Sequence, residues 1–524
     1  MAKRRNNKKL QLAQALPADL DRLGHVRGMM AFGGMTGTSR MARSPRFANW
    51  RPQLLDADGD AEYELADLRA FSRDLERTAP VATGAIETRV SHIVGTGLTL
   101  QSRIDAKELG LSDEQASEWQ SMTERRFGMW AKSQYADRHG ELCFYEQQQL
   151  ALRSHDSSGD VFVLLGDKGR EDWPFRLTMQ IVEADRVSNP DGRTNTATLI
   201  DGVERDGDGE PIAIQVSRYH PGRLVPRTAN TWERIPYRGS SGRRNVLHLK
   251  EVKRPGQTRG LPILAPIIAT IKQITRYTDA EVDAAVNSAA LALFLQMDPD
   301  AFQETTIFSD DERGKILAAA GGWDGTIESG RAINLMPGES IVSPTPGRPN
   351  PNFDPFFGAM LNICSMGLGI PKEVLAKAFN ASYSASRAAL MDAWRTWQIK
   401  RVWLAQRLCQ PIYEEWLADA VALGIIQAPG FFADPFIRYA WSQTSWCGDG
   451  PGALDPLKEA MAAAKRMEEG ITTRAEEVVA YDGGDWETKH RQSAREMAAR
   501  VRDRLQMPAV AVAVPPPDPN NTTD

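Results

Sequence analysis

Arg254-Pro255-Gly256-Gln257-Thr258-Arg259-Gly260 leads into an apolar pattern that runs to Leu295, and this stretch decides the fold. The heptapeptide carries one proline and two glycines, so it reads as a tight turn. Beyond it, Ile267, Ile268, Ile271, Ile274, Thr275, Thr278, Val282, Ala285, Val286, Ala289 and Leu293 step by three and four. At about 100° per residue they fall in a stripe roughly 120° wide. Lys272, Arg276, Asp279, Asp283 and Asn287 occupy a different, polar face. The pattern predicts an uninterrupted helix of about seven to nine turns, roughly 45–50 Å long at about 1.5 Å per residue. A globular helix usually has about 8–20 residues. A strut this long, greasy on one side and charged on the other, needs a neighbour along its length.

Upstream, helical periodicity covers about 61–93, with Leu65, Leu68, Leu75 and Ile86 as core positions, and again 113–132 with Ser112 as N-cap. Strand patterns follow at 160–165, 175–182, 198–203, 211–219 and 245–249, a mixed-sheet region. Asp206-Gly207-Asp208-Gly209 is a hairpin signal between two of them. Downstream, a strand at 292–296, a helix at 310–320 and a strand at 332–335 form a small segment. The proline-rich stretch 344–355 reads as a linker before helical pattern at 356–368. A serine-rich loop, 380–386, precedes a second long helix ending near Gly424, with Leu390, Trp394, Trp397, Leu404, Leu408, Ile412 and Trp416 on one side. Pro411 lacks a backbone donor and should kink it. Pro456 starts another helix, Gly470 stops it, and Thr473 with Glu476 has capping-box spacing. A last helix covers about 486–505, and Pro515-Pro516-Pro517 marks a disordered tail.

A chain of 524 residues can bury a large core without disulfides or metal. Its four cysteines are dispersed, as in a reducing compartment. With 63 basic against 68 acidic residues, it has no broad basic surface for gripping nucleic acid, although low affinity would suit a conduit. No run of 18 apolar residues suggests a membrane span. Residues 1–55 begin with the basic Met1–Lys9 and read as a flexible arm that orders only with partners.

The search for enzymatic chemistry ends without a candidate. Gly95-Thr96-Gly97 lacks a third glycine and follows a helical pattern, so it is no dinucleotide loop. No Walker A sequence occurs. Glu204, Asp206, Asp208 and Gly209 imitate half a calcium loop, but Gln215 stands at its twelfth position and a strand pattern follows. The seven histidines show no ligand spacing. Trp394, Trp397, Trp403 and Trp416 have helical spacing, which favours packing over a stacking surface for bases. No catalytic residue, cofactor or metal is expected.

The order of several blocks is more specific than any one of them. Val94–Gln101, Glu183–Arg186 with Asn189-Pro190, Arg254–Gly260, Tyr277–Glu281, Ser384–Leu390 and Asp455–Glu459 resemble, in family order, the lambda-type portal proteins of tailed bacteriophages. The resemblance implies a helix-rich α+β portal fold with a mixed-sheet wing, long stem helices, a small α/β clip and a helical crown. It implies a ring, typically of twelve copies, made in the host cytoplasm and placed at one capsid vertex. Double-stranded DNA would enter through its channel, driven by a separate terminase, and later leave by it. Other implied partners are the terminase large subunit, the major capsid or scaffold protein and head-tail connector proteins. No membrane, cofactor or catalysed reaction is implied.

Mapped by that resemblance, 1–55 is an arm, 56–260 the wing, 261–296 the first stem helix and 297–345 the clip. A linker and returning stem helix take 346–376, and the channel loop 377–386. The long wing helix is 387–429, the crown 430–507 and the tail 508–524. Lys372, Lys377, Asn380 and Tyr383, with Lys272 and Arg276, are candidates to face DNA. Asp310, Asp311, Glu312 and Arg313 are candidates to touch terminase. Against the DNA-facing reading stand a locally packed Tyr383 and merely solvated lysines. The competing functions are another virion structural or connector subunit and a cytosolic α+β enzyme with an unrecognised site.

Overall fold

The computed structural model describes residues 55–224, 230–290, 294–297, 309, 311, 339–342, 350–378, 383–450, 456–482 and 484–502. The arm 1–54, the 310–320 helix but for Asp311, the 332–335 strand and the tail 508–524 lie outside the described residues. The fold is α+β and helix-rich. Its helices are α1 (Leu65–Thr78), α2 (Pro80–Ile93), α3 (Asp113–Lys132), α4 (Phe144–Ser158), α5 (Ile268–Ala290), α6 (Phe353–Leu368), α7 (Lys372–Leu375), α8 (Tyr383–Leu404), α9 (Gln410–Ala422), α10 (Pro435–Trp441), α11 (Pro456–Glu468), α12 (Arg474–Asp482) and α13 (Trp486–Arg502). Its strands are β1 (Thr99–Ser102), β2 (Asp160–Asp167), β3 (Leu177–Val182), β4 (Leu199–Ile200), β5 (Val203–Arg205), β6 (Pro211–Ser217), β7 (Trp232–Pro236), β8 (Val246–Lys250), β9 (Phe294–Met297), β10 (Glu339–Val342) and β11 (Thr444–Cys447).

The strands form four small sheets, in the orders β1-β11, β10-β9, β3-β2-β8 and β4-β5-β6-β7. The expected strand at 198–203 is two strands, because Asp201 (φ 45°) and Gly202 (φ 81°) turn the chain between β4 and β5. At Gly202 a Cβ would lie 2.4 Å from the Ser188 nitrogen, so only glycine fits. The Asp206–Gly209 turn joins β5 to β6 across a bulge at Glu204/Arg205. Asp206 Oδ1 accepts from the Asp208 and Glu210 nitrogens (3.0 and 2.8 Å), an Asx turn rather than a cation loop.

Several helix boundaries differ from the sequence reading for local reasons. The 61–93 pattern divides at Ala79, where extended φ/ψ and Pro80 at the start of α2 interrupt it. α3 begins on Ser112 with a full capping box to Gln115, as expected. Phe353 rather than Phe356 opens α6, since Pro355 fits a first turn, where its missing N–H costs nothing. The decisive helix is shorter than its pattern: α5 has 23 residues, or roughly 35 Å at about 1.5 Å each. Ile267 lies in a preceding 3-10 turn, and β9 begins at Phe294. The second long helix passes Pro411 through a π turn at Ala405–Cys409, in which the Gln410 N–H reaches the Ala405 carbonyl. The wide turn stands just before Pro411, where the helix must do without one backbone donor. Gly424 (φ 72°) ends it.

The chain divides into two compact units. One comprises 1–74, 154–162 and 182–265, the other 75–153, 163–181 and 266–524. The core of the second is aromatic: Phe127 meets Trp130, Phe144, Tyr413, Trp416 and Trp446, with ring centroids 5.1–5.9 Å apart. Trp416 is fully buried and Trp397 is 2% exposed, as packing rather than base stacking requires. The outer edge of β1 is closed by side chains. The Gln148 amide accepts the Leu98 N–H (2.7 Å) and donates to its carbonyl (3.2 Å), while Glu124 Oε1 accepts the Ser102 N–H (2.8 Å). In Gly95-Thr96-Gly97 the first glycine (φ 60°) ends α2, and a Cβ on the second (φ 120°) would lie 2.5 Å from the Tyr145 ring. The motif is a helix stop and a chain crossing.

In the first unit Gly159 and Gly260 pass so closely that a Cβ on Gly260 would sit 1.9 Å from the Gly159 carbonyl oxygen. Gly260→Ala is expected to cost about 2–3 kcal/mol of stability, the overpacking range, read as a lowered urea midpoint.

Candidate functional site

Two constellations stand out. The first, in the second unit, is the pair α5 and α6. Ile267, Ile271 and Ile274 are buried, as are Leu361, Cys364 and Leu368. A Cβ on Gly367 would lie 2.4 Å from Ile267 Cγ2, so this glycine lets the two segments approach closely. Further along, Tyr277 stacks on Phe353 (5.8 Å, 13°) and tilts against Phe356 (4.6 Å). Asn350 Nδ2 donates to the Tyr277 hydroxyl (3.2 Å) and to Glu281 Oε1 (2.7 Å). The buried stripe therefore occupies the first half of α5 only.

Lys272, Arg276, Asp279 and Asp283 are exposed along one side of α5, as their spacing predicts. Val282 (56%), Val286 (62%) and, on α6, Met366 (76%) are also exposed. Each helix thus presents apolar side chains that stand exposed among the described residues, beside a stripe of both charge signs.

α6 ends on Gly369 (φ 64°), and Pro371 leads into α7. The Lys372 ammonium turns back toward α6, where a Cβ on Gly358 would be 3.2 Å from it. Lys377 is exposed and has a left-handed backbone (φ 51°). Its charge reaches His92, which stacks flat on Trp397 (4.1 Å, 5°). Burial, then Arg401 and Lys377, lower the His92 pKa. Lys372 opens α7 and Lys377 follows its end; the first turns toward α6 and the second lies near His92. Asn380 lies outside the described residues, and so does the Tyr383 side chain, although Tyr383 opens α8 and shortens the expected loop. Among the terminase-contact candidates Asp311 is described and exposed, while Asp310, Glu312 and Arg313 lie outside the described residues.

The second constellation, in the first unit, was invisible in the sequence. Asp160, fully buried at the start of β2, accepts from Arg259 Nε (2.6 Å) and Nη2 (3.2 Å), Arg69 Nη2 (2.8 Å), His248 Nε2 (3.0 Å) and the Gly260 N–H (3.3 Å). Arg259 also donates to the carbonyls of Val187 (2.9 Å), Asp201 (2.6 Å) and Ala184 (2.8 Å). Arg69 donates to Ser158 O (2.9 Å), and Asp185 pairs with Arg69 (3.7 Å), Arg73 and His220 (3.2 Å). Burial alone would raise the Asp160 carboxyl, but Arg259 and Arg69 outweigh it and hold it well below the usual range. Burial pushes His248 down to about 4 despite Asp160 beside it. The imidazole is therefore neutral near pH 7, with its proton on Nε2.

The turn that opened the sequence reading hangs from this hub. Lys250 Nζ donates to the Gln257 and Thr258 carbonyls (2.6 and 2.7 Å), and Asp58 accepts from the Thr258 nitrogen and hydroxyl (2.6 Å each). Every strong group in the cluster is engaged by another, so it is a positioning device with no free nucleophile or base. Arg259 and Gly260, inside the turn, and Asp185, inside the Glu183–Arg186 block, stood in quoted motifs, but their burial did not show, since a buried charged residue looks like a surface one until its partners are known.

The family description that fits this chain is that of the lambda-family phage portal proteins, whose sequence model matches residues 43–401. The chain belongs to that family. It is 25% identical over 502 residues to portal protein B of Escherichia phage lambda, covering 92% of each chain. The portal protein of Escherichia phage N15 is 24% identical over 481 residues, covering 88% of this chain and 90% of that one. Among solved structures, the neck of an empty gene transfer agent particle aligns with a TM-score of 0.44 at 14% identity, over 79% of this chain and 94% of that one. The family is structural rather than enzymatic, and its members belong to the portal vertex of the virion.

The Asp160 hub sets the acid response. His248 is deprotonated in the fold down to about pH 4, whereas an unfolded histidine takes up its proton near 6.5. Stability is thus present above about 6.5 and falls as pH drops toward 4, by on the order of 3 kcal/mol at most. Asp160, with its depressed pKa, adds a loss of the same sign at lower pH. Urea midpoints across pH 7.5–4 should show this fall, and His248→Gln should flatten it. Asp160→Ala, which strands two buried guanidiniums, should cost about 3–5 kcal/mol at pH 7.

Proposed function

We propose that about twelve copies of this chain close into a ring that forms the DNA channel of the portal vertex. DNA enters through it, driven by a separate terminase, and leaves by it at ejection; the ring also docks connector proteins, and the chain catalyses no reaction. The observation that carries this reading is the two-sided character of α5 and α6. Val282, Val286 and Met366 stay exposed in a single chain. A neighbouring copy, related by a head-to-tail rotation, supplies the missing cover.

In this reading α5 and α6 are the two stem struts, and the antiparallel β9–β10 ladder (Phe294↔Val342 to Met297↔Glu339) belongs to the clip. The wing takes 56–260 and the long helix pair α8–α9, and the crown takes 430–507. The exposed stripe with Lys272 and Arg276, and the segment with Lys372, Lys377, Asn380 and Tyr383, meet DNA. Mixed charge there suits transit, because each phosphate gripped adds affinity and salt dependence. Asp310, Asp311, Glu312 and Arg313 meet terminase.

Native mass measurement of the purified 58.0 kDa chain should give a closed particle of roughly 0.7 MDa, as about twelve subunits require. A stable monomer would sink the reading. Val282→Asp with Val286→Asp should shift the particle toward monomers. Lys372→Glu with Lys377→Glu should leave rings intact and reduce packaged genomes severalfold; unchanged packaging would remove those lysines from the channel.

A further inference from the structure

Helix α13 meets β1 and α3 at its foot. Described side chains from Lys489 to Arg502 are exposed, except for half-buried Ala499. The residues before them, 484–487, are half-buried. Bonds that anchor the foot include Gln101 Nε2 to the Gly484 carbonyl (3.4 Å), Arg103 Nη1 to Glu487 Oε1 (3.9 Å) and Arg491 Nη1 to Ser121 Oγ (3.3 Å). Asp485 caps the helix, accepting the Glu487 N–H (3.3 Å). The foot therefore brings two carboxylates to the outer edge of β1. A third, Glu124 of α3, already closes that edge through the Ser102 N–H.

Three acids thus gather around one arginine. The charged and titratable groups around Glu124 are Arg103 from the end of β1, Asp485 and Glu487 from the foot of α13, and Tyr413 from α9. Burial pushes the Glu124 carboxyl up to about 7, opposed by the Ser102 N–H and Arg103 and supported by Asp485 and Glu487. Arg103 is shared, its Nη2 donating to Gln101 Oε1 (3.0 Å).

We propose that Glu124 is a proton-operated latch for the C-terminal helix: neutral, it lets the foot of α13 rest on β1 and α3, and ionised, it repels Asp485 and Glu487 and loosens the helix. The sign follows from linkage. The docked state holds the Glu124 proton up to about pH 7, while an undocked, solvated carboxyl loses it near the ordinary glutamate value. Docking is therefore tightest in acid, weakens as pH rises toward 7 and stays loose above it. The limit for one proton is about tenfold in the opening constant per pH unit. The latch concerns one chain and holds whether or not the copies form a ring.

Hydrogen exchange of the backbone at 484–502 in the full-length protein, corrected for intrinsic rate between pH 5 and 8, reads the latch directly. Protection should fall severalfold from pH 5 to 7 in the native chain. It should stay high throughout in Glu124→Gln, which keeps an acceptor for Ser102. Asp485→Asn, which keeps the cap and removes one charge that raises the Glu124 carboxyl, should shrink the fall and end it at lower pH without abolishing it. Flat protection in the native chain, or the same pH dependence in Glu124→Gln, overturns the proposal; the latter outcome would assign the effect to His490, which stacks on Trp486 at 4.9 Å. Should Glu124→Gln fail to fold, an unmoved transition in Asp485→Asn is equally fatal.

Discussion

A single buried carboxylate holds the first unit together. Asp160 is out of water, and an isolated charge there would be prohibitively costly. It is tolerated because Arg259, Arg69, His248 and the Gly260 N–H converge on its two oxygens, while backbone carbonyls take up the remaining guanidinium donors. Such a network adds little net stability over a well-packed apolar one, but it is unforgiving once a member is lost. It fixes strand β2, strand β8, helix α1 and the 254–260 turn relative to one another. The close passage of Gly159 and Gly260 is part of the same arrangement, since a Cβ at either would push the turn away from the carboxylate.

The second unit relies on packing instead. Phe127 and its five aromatic neighbours form a core in which each ring fixes the orientation of the next. Around it, isolated polar side chains do the work of missing strands. Gln148 and Glu124 close the edge of a two-stranded sheet that would otherwise present bare donors and acceptors. Using an acid for this task couples the sheet edge to the charge of whatever lies beside it, here the foot of α13.

Helices α5 and α6 show how one chain can be complete in its fold and incomplete in its burial. The start of α5 packs tightly along α6, through Ile267 against Gly367 near the end of α6 and Tyr277 against Phe353 at its start. Past Tyr277, Val282 and Val286 continue the apolar side of α5 and are exposed. The proposed ring rests on this surplus apolar surface.

The periodic features were readable without coordinates, because a repeat of 3.6 or 2 expresses burial on one side. The α3 capping box, the α12 capping box at Thr473 and Glu476, the Asp206–Gly209 hairpin and the charged stripe of α5 all stand where the residues put them. The order of its motifs likewise identified the family. Element ends were less legible: α5 stops short of its pattern, and a π turn just before Pro411 was not foreseen. The Asp160 hub and the Glu124 cluster were not legible at all. Their members lie up to about 190 and 380 residues apart in sequence, and nothing in an Asp, an Arg or a Glu reveals whether water or a distant partner will solvate it. The sequence by itself determined which faces are apolar and which turns are possible; only the tertiary structure decided which charges leave water, because that depends on partners the chain brings together by folding.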